Sequence, residues 1–193
     1  MAKTNLNSTI DDYRGSIGKL VFKKYRGRTI VAKKPVITAE PSQAQLDQRI
    51  RFKEAAAFGK FAQNDPDLRA IYEPIARARE VTVYTVAVQD YLKKPVIQPL
   101  DLFQYKGRVG DPILIQATDE LGLAGVEVSI DSNDGTLIES GPAEEGVPGT
   151  GKWTYTATVP VAQGSDIFIE VVALDHAGNR TKLTESPRVG IDD

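Results

Sequence analysis

The residues that could carry out catalysis are few and poorly placed for it. His176 is the single histidine in the 193-residue sequence, which contains no cysteine. His176 lies in a predicted turn between two strands, and no serine stands in a nucleophile-elbow pattern. Neither a phosphate-binding glycine pattern nor an HExxH zinc pattern occurs. The sequence therefore predicts a protein that is not an enzyme and that uses no cofactor.

Carboxylates at strand ends raise the question of a metal ion. Asp119, Glu120 and Asp175 lie at predicted strand ends that an antiparallel sandwich would bring near one another, and Ca²⁺ is bound by such oxygen ligands. Aspartates in these positions also cap their own loops as Asx-turns. The sequence favours the turn-capping role and predicts no metal, with a Ca²⁺ site at these three residues as the alternative.

A basic stretch, residues 13–37, offers a third kind of chemistry. It carries eight lysines and arginines and no acidic residue. Two segments within it, 20–25 and 29–33, are rich in β-branched and aromatic residues, and Arg26-Gly27 between them is a hairpin signal. Such a hairpin places Tyr25 opposite Arg28 and Phe22 opposite Val31.

Both faces of this hairpin would carry apolar side chains, so both are expected to contact something. A lone two-stranded hairpin is marginally stable in water and leaves two strand edges open. The hairpin therefore needs a partner, either in its own chain or outside it. The candidate binding residues are Leu20, Phe22, Lys23, Lys24, Tyr25, Arg26, Arg28, Ile30 and Val31.

Charge divides the chain into two unlike halves. Residues 1–97 contain 18 Lys and Arg against 10 Asp and Glu, a net charge of +8. Residues 98–193 contain 6 against 16, a net charge of −10. A division of this size indicates an interaction with something charged, such as nucleic acid, a membrane surface or another copy.

Helix signals follow the hairpin. Ser42 with Gln45 forms a capping-box pattern that opens a helix from Gln43 to about Gln63, expected to bury a stripe of apolar residues. Asp65 caps a second helix to about Arg79, and a third is predicted over residues 81–92, where β-branched content also suits a strand. The apolar stripe of the first helix comprises Leu46, Ile50, Ala57 and Phe61, with Phe58 alongside.

After Pro99 the pattern changes to short alternating runs separated by turns, which is typical of an antiparallel sandwich. Trp153 is its single large anchor. The predicted fold is α+β, with a hairpin-and-helix region at 1–97 and an all-β Ig-like sandwich at 98–193. The seven predicted strands cover residues 100–105, 113–118, 126–131, 136–139, 153–159, 167–174 and 180–184.

Two resemblances accompany these patterns. The pattern Ala-x-Asp-x-x-Gly at 117–122 and 173–178, with WTYTATV at 153–159, resembles bacterial Ig-like and fibronectin-type modules of cell-surface proteins. This likeness implies a fold and no particular activity. Residues 15–22 and 41–52 resemble a group of uncharacterised bacterial proteins, which share a basic G-x-I/V-G-x-L-V-F hairpin and a P-S-x-A-Q-x-x-x-R-x-x-F helix start.

These observations favour a structural protein that self-associates head to tail through its basic hairpin, as a homo-oligomer, a filament or a surface or tail-like assembly. Two alternatives remain open: nucleic-acid binding by the same hairpin, and a monomeric adhesion module for another surface or structural protein. No apolar run is long enough to cross a membrane. No Sec-type signal peptide is readable, so we expect cytosolic synthesis, with any export by another route.

Overall fold

The computed structural model describes residues 15–25, 28–36 and 40–190. The chain forms two compact units, residues 1–46 and 47–193. The helical residues from Asp47 onward thus belong to the same unit as the two sheets that follow them in the sequence. The proposed boundary near residue 97, which rests on charge and sequence pattern, stays a prediction about independent folding.

The first unit contains a three-stranded antiparallel sheet. Its strands are β1 (Gly15–Ile17), β2 (Leu20–Tyr25) and β3 (Arg28–Lys33), in the order β1-β2-β3. Tyr25 pairs with Arg28 and Phe22 with Val31, so the predicted register is confirmed. The predicted turn at Arg26-Gly27 lies outside the described residues. The sequence reasoning missed β1, which covers one edge of β2 and leaves β3 as an end strand.

Three helices follow: α1 (Gln43–Ala62), α2 (Pro66–Ala78) and α3 (Val83–Leu92). The capping box is confirmed, because the Ser42 N–H donates to Gln45 Oε1 at 3.1 Å. Asp65 Oδ1 accepts from the N–H of Leu68 at 3.0 Å and caps α2. Thr82 caps α3, so this segment is helical despite its β-branched residues.

The predicted apolar stripe of α1 lies on an exposed side of the helix, except for Phe58, which packs against the core among the helices. Ile50 and Phe61 are 57% and 58% exposed. The buried residues are small ones on another stripe: Ala55, Gly59 and Ala62. A Cβ at Gly59 would lie 2.7 Å from a methyl carbon of Val88, so the absence of a side chain lets α1 pack closely against α3.

The remaining strands form two antiparallel four-stranded sheets, ordered β11-β10-β6-β7 and β4-β5-β9-β8. Their bounds are β4 (Val96–Ile97), β5 (Pro112–Thr118), β6 (Leu123–Ser132), β7 (Leu137–Pro142), β8 (Glu144–Glu145), β9 (Lys152–Thr156), β10 (Ile167–Asp175) and β11 (Arg180–Glu185).

One apolar core is shared by these two sheets. Ile113, Ile115 and Trp153 contribute from one sheet, and Val128 and Ile169 are among the residues that contribute from the other. This arrangement is compatible with a β-sandwich. The predicted strand over residues 100–105 was wrong, because this segment forms turns and makes only an isolated bridge from Asp101 to Leu114.

A second core lies among the helices. Tyr72 and Ala76 of α2 pack with Val86 and Ala87 of α3. Leu121, from the loop after β5, is buried in the same cluster, so the helices and the sheets share side-chain contacts within the second unit. No helix of the described residues is long and apolar enough to cross a membrane.

Candidate functional site

The predicted binding residues of the basic sheet lie on both of its faces. Leu20 is 46% exposed and Tyr25 is 59% exposed, whereas Phe22 is half-buried. Alternation along β2 and β3 places Leu20, Phe22, Lys24 and Val31 on one face, and Lys23, Tyr25, Arg28 and Ile30 on the other. Arg26, the remaining predicted binding residue, lies outside the described residues.

The edges of this sheet are its second feature. Within the described residues, β3 is hydrogen-bonded to β2 alone and is therefore an end strand. Its six residues, RTIVAK, carry two basic side chains. Ile17, at the opposite edge, is 61% exposed. The sheet thus combines a basic end strand with apolar side chains that water reaches.

An acidic stretch stands in contrast to this basic sheet. Residues 109–151 contain nine aspartates and glutamates and no lysine or arginine. Two of its strands, β7 and β8, end the two four-stranded sheets on that side. Glu144 and Glu145, which make up β8, are exposed. Three of the nine acids thus lie on end strands: Glu144 and Glu145 are exposed on β8, whereas Glu139 on β7 is buried.

A shallow hollow of about 350 Å³ lies beside β7 on the outer face of its sheet. Glu127 and Glu170 line it, together with Ser129, Ser140 and Val172. Leu137, at the start of β7, is 57% exposed. This surface combines acidic, hydroxyl and apolar groups next to an end strand.

The carboxylate cluster is a separate site, formed by Asp90, Asp119 and Asp175. One carboxylate oxygen of each lies within 4.8 Å of those of the other two. Asp90 is in the last turn of α3, Asp119 follows β5, and Asp175 ends β10. Asp90 and Asp175 are 1% and 2% exposed, while Asp119 is half-buried. The fold thus brings three distant parts of the sequence to one point.

Asp90 is only partly satisfied by its surroundings. The hydroxyl of Tyr72 donates to its Oδ2 at 2.5 Å, within the buried side of α2 and α3. Its Oδ1 is buried and has no hydrogen-bond partner among the described residues. An acceptor left in this state costs about 1–3 kcal/mol, and more when it is charged.

Asp119 and Asp175 also perform the turn-capping role that the sequence predicted. Asp119 Oδ1 accepts from the N–H of Leu121 at 2.9 Å. Asp175 Oδ1 accepts from the N–H of Asn179 at 2.7 Å. Turn capping and membership of the cluster are therefore compatible, because each cap uses one oxygen and leaves other lone pairs available.

Asn179 connects this cluster to α3. Its side-chain Nδ2 lies 2.7 Å from Asp175 Oδ2 and within donating distance of the carbonyls of Asp90 and Lys93, at 3.1 and 2.7 Å. These carbonyls are at the C-terminal end of the helix, where carbonyls lack intrahelical donors. The Asp90 carbonyl also accepts from the N–H of Lys93, so Asn179 supplies an additional donor there. The turn after β10 therefore caps α3.

Burial and mutual repulsion raise the pKa of Asp90 and of Asp175. Burial, together with the nearby Asp175 and Asp119, raises the pKa of Asp90 to about 6, against the lowering by the Tyr72 hydroxyl and the Ala177 backbone. The Ala177 backbone lies close enough to Asp90 to lower its pKa without forming a hydrogen bond to Oδ1. Burial likewise raises the pKa of Asp175. The raised pKa values mean that the groups around Asp90 and Asp175 stabilise the negative charge of these carboxylates poorly.

Glu120 is not part of the carboxylate cluster, although the sequence-based alternative of a Ca²⁺ site included it. Its carboxylate forms ion pairs with Arg79, at 3.3 Å, and with Lys93. None of the ion pairs among the described residues involves Asp90, Asp119 or Asp175. The cluster therefore has Asp90 where the sequence reasoning placed Glu120.

His176 lies in the turn that follows β10, as predicted. It is half-buried, and burial lowers its pKa below the usual value. The neutral imidazole therefore predominates at pH 7.

Comparisons with known proteins define no family. No protein-family model and no curated protein matches the chain. Among solved structures, a match is the crystal structure of CopC from Methylosinus trichosporium OB3b, at 15% sequence identity and a TM-score of 0.39. The match covers 50% of this chain and 93% of that chain. A likeness at this level carries no argument about function.

Proposed function

We propose that this chain is a non-enzymatic structural protein that self-associates head to tail. The basic sheet of one copy, residues 15–33, binds the acidic stretch of the next copy, residues 109–151. One observation carries this proposal: residues 13–37 contain basic residues and no acidic one, residues 109–151 contain acidic residues and no basic one, and each stretch contains end strands. Such a heterologous contact builds a ring or an open filament.

Strand addition supplies the backbone part of the contact. The end strands β3 and β7 have six residues each, so β3 can add to the open edge of β7, except at Pro142, which has no N–H to donate. In the neighbouring copy, the hollow beside β7 offers Val172 and Glu127 to the side chains that a basic strand carries. Its second glutamate, Glu170, already pairs with Lys182 at 2.8 Å. We include in this proposal that the two four-stranded sheets form an Ig-like sandwich, since bacterial modules of that kind are typical of surface assemblies.

Charge and apolar contact have different roles in this association. An exposed ion pair contributes about 0–1 kcal/mol, so charge pairs mainly set the rate and the orientation of encounter. Affinity comes from the backbone pairing of β3 and from contact of one face of the sheet with the neighbour. That face carries Ile17 and Leu20, which are exposed in the single chain and would leave water on docking. The association rate should accordingly fall with added salt.

Lysines in place of Ile17 and Leu20, which share one face of the sheet, distinguish the assembly hypothesis from the nucleic-acid-binding hypothesis. Ile17→Lys with Leu20→Lys removes two exposed apolar groups while increasing the positive charge. We expect this variant to be monomeric by sedimentation velocity at concentrations where the wild type assembles. The matched control is Ser16→Lys, one lysine at an exposed position on the other face of β1, and it should still assemble.

A second pair of variants tests the head-to-tail geometry. Glu127→Lys with Glu144→Lys should disable the acceptor surface and give a second monomeric protein. An equal mixture of the two monomeric variants retains one intact basic sheet and one intact acidic surface. It should therefore form a 1:1 dimer that does not grow further.

Three results would contradict the proposal. A wild type that stays monomeric at high concentration, and binds nucleic acid more tightly after the added lysines, would identify a nucleic-acid-binding protein instead. A wild type that stops at a closed dimer would exclude head-to-tail growth. A monomer with neither property would favour the adhesion module.

A further inference from the structure

The carboxylate cluster carries negative charge that no neighbouring basic side chain of the described residues neutralises. Three carboxylates converge within 4.8 Å, and two of them are almost fully buried. No basic side chain forms an ion pair with them in the described part of the chain. Buried charges are normally paired or coordinate a metal ion, because an isolated buried carboxylate is costly.

Asp90 provides an independent sign of a missing partner. It is 1% exposed, it belongs to the cluster, and its Oδ1 accepts no hydrogen bond from any residue that the structure describes. The hydrogen bond from Tyr72 holds the other oxygen and so fixes the orientation of the carboxylate. A ligand that accepts an electron pair from oxygen would satisfy Oδ1 where the protein does not.

We propose that Asp90, Asp119 and Asp175 bind one Ca²⁺ ion. Ca²⁺ lies 2.3–2.6 Å from its oxygen ligands, so ligands on opposite sides of it are up to about 5 Å apart, which accommodates the spacing of the three carboxylates. Ca²⁺ takes six to eight oxygens from carboxylates, carbonyls and water, and tolerates irregular geometry. Mg²⁺ demands a tighter octahedron and usually keeps several waters, which suits a nearly closed, three-carboxylate site less well.

The ion would join α3 to both sheets. Asp90 belongs to α3, Asp119 follows a strand of one sheet, and Asp175 ends a strand of the other. Asn179 already connects the same turn to the end of α3. Ca²⁺ therefore acts as a structural ion that fastens the helices to the sandwich, and its binding energy adds to the stability of the whole second unit.

Titration of the full-length protein with CaCl₂ tests this site. The protein is dialysed against EDTA, exchanged into metal-free buffer and titrated by calorimetry, and its melting temperature is measured with CaCl₂, with MgCl₂ and with neither. We expect one Ca²⁺ per chain and a melting temperature that rises with CaCl₂ concentration. MgCl₂ at the same concentration should have a smaller effect.

Three substitutions locate the ion. Asp119→Asn changes the least buried ligand and should weaken Ca²⁺ binding by at least about tenfold, since the loss of even an outer-shell partner costs about 10–100-fold. Glu120→Gln alters the adjacent acid outside the cluster and should leave the affinity unchanged. Asp134→Asn alters an exposed aspartate that accepts from the N–H of Thr136, and serves as a control for turn capping alone.

The site is overturned if the wild type takes up no Ca²⁺ or if Asp119→Asn binds it like the wild type. Loss of binding in Glu120→Gln would move the site to the residues that the sequence suggested. Stabilisation by MgCl₂ but not CaCl₂ would exclude Ca²⁺ as the ion. Should Asp119→Asn fail to fold, as judged by circular dichroism, the calorimetric titration of the wild type still decides whether an ion binds.

Discussion

Trp153 shows how far a single side chain can be predicted from the sequence. As the only tryptophan in a run of alternating residues, it was expected to anchor the sheets, and it is 8% exposed in their shared core. Its indole Nε1 is nonetheless buried and has no hydrogen-bond partner in the part of the chain that the structure describes. The anchor therefore contributes apolar contact and carries a polar penalty.

Replacing Trp153 with alanine should destabilise the protein by about 3 kcal/mol. This is the lower end of the range of roughly 3–5 kcal/mol for such truncations, because the change also removes the unsatisfied donor. Denaturant unfolding measures the loss. Phe103→Ala, at a position 82% exposed, is the control and should change stability by less than about 0.5 kcal/mol. A loss as small as that of the control would show that the Trp153 ring lies at the surface.

Asp90 marks the limit of prediction at this scale. Asp119 and Asp175 could be singled out because each follows a predicted strand in a recognisable Ala-x-Asp-x-x-Gly pattern. Asp90 lies in a helix, 29 positions before Asp119 in the sequence, and only the packing of α3 brings it to the same point. Its signal was a lone acid among the apolar residues of AVQDYL, which predicts burial with a partner but not which partner.

Elements with local signals were predicted well. The three helix starts follow from the side chains of Ser42, Asp65 and Thr82, because a capping residue bonds to the backbone two or three positions on. The hairpin register follows equally from the short spacing between β2 and β3. In contrast, the buried side of α1 depends on which neighbour it meets, and the sequence reasoning chose its large apolar residues over its small ones.

Gly59 provides a test of this α1–α3 packing. A Cβ at this position would lie 2.7 Å from Val88 and 2.9 Å from the ring of Tyr84, and leucine adds three more carbons. Gly59→Leu gains about 1 kcal/mol of helix propensity but suffers overpacking of roughly 1–3 kcal/mol. We expect a net loss of about 1–2 kcal/mol by denaturant unfolding. Ala57→Leu, on the exposed side of the helix, should cause no loss, and similar losses at both positions would argue against close packing at Gly59.

At the scale of the whole molecule, the core of the sheets is self-contained. All of its buried residues lie between Tyr105 and Val189, and none comes from the helices. Residues 98–193 expressed alone should therefore unfold cooperatively, as measured by circular dichroism during thermal melting. They should melt below the full chain, because Leu121 and Asn179 lose their partners among the helices. A fragment without a cooperative transition would show that the helices are required for folding.

The cap that Asn179 places on α3 has a mechanical consequence in a head-to-tail filament. Tension along the chain would enter the sheets at β4, a strand of two residues that peels from β5 one hydrogen bond at a time. Asn179 would bear part of this tension, because it is hydrogen-bonded to the end of α3, which precedes β4 in the chain. The force then passes to the turn after β10, a strand that pairs with β6 through nine residue pairs and with β11 through six. A filament of such units would therefore carry load through a strand paired on both sides as well as through β4.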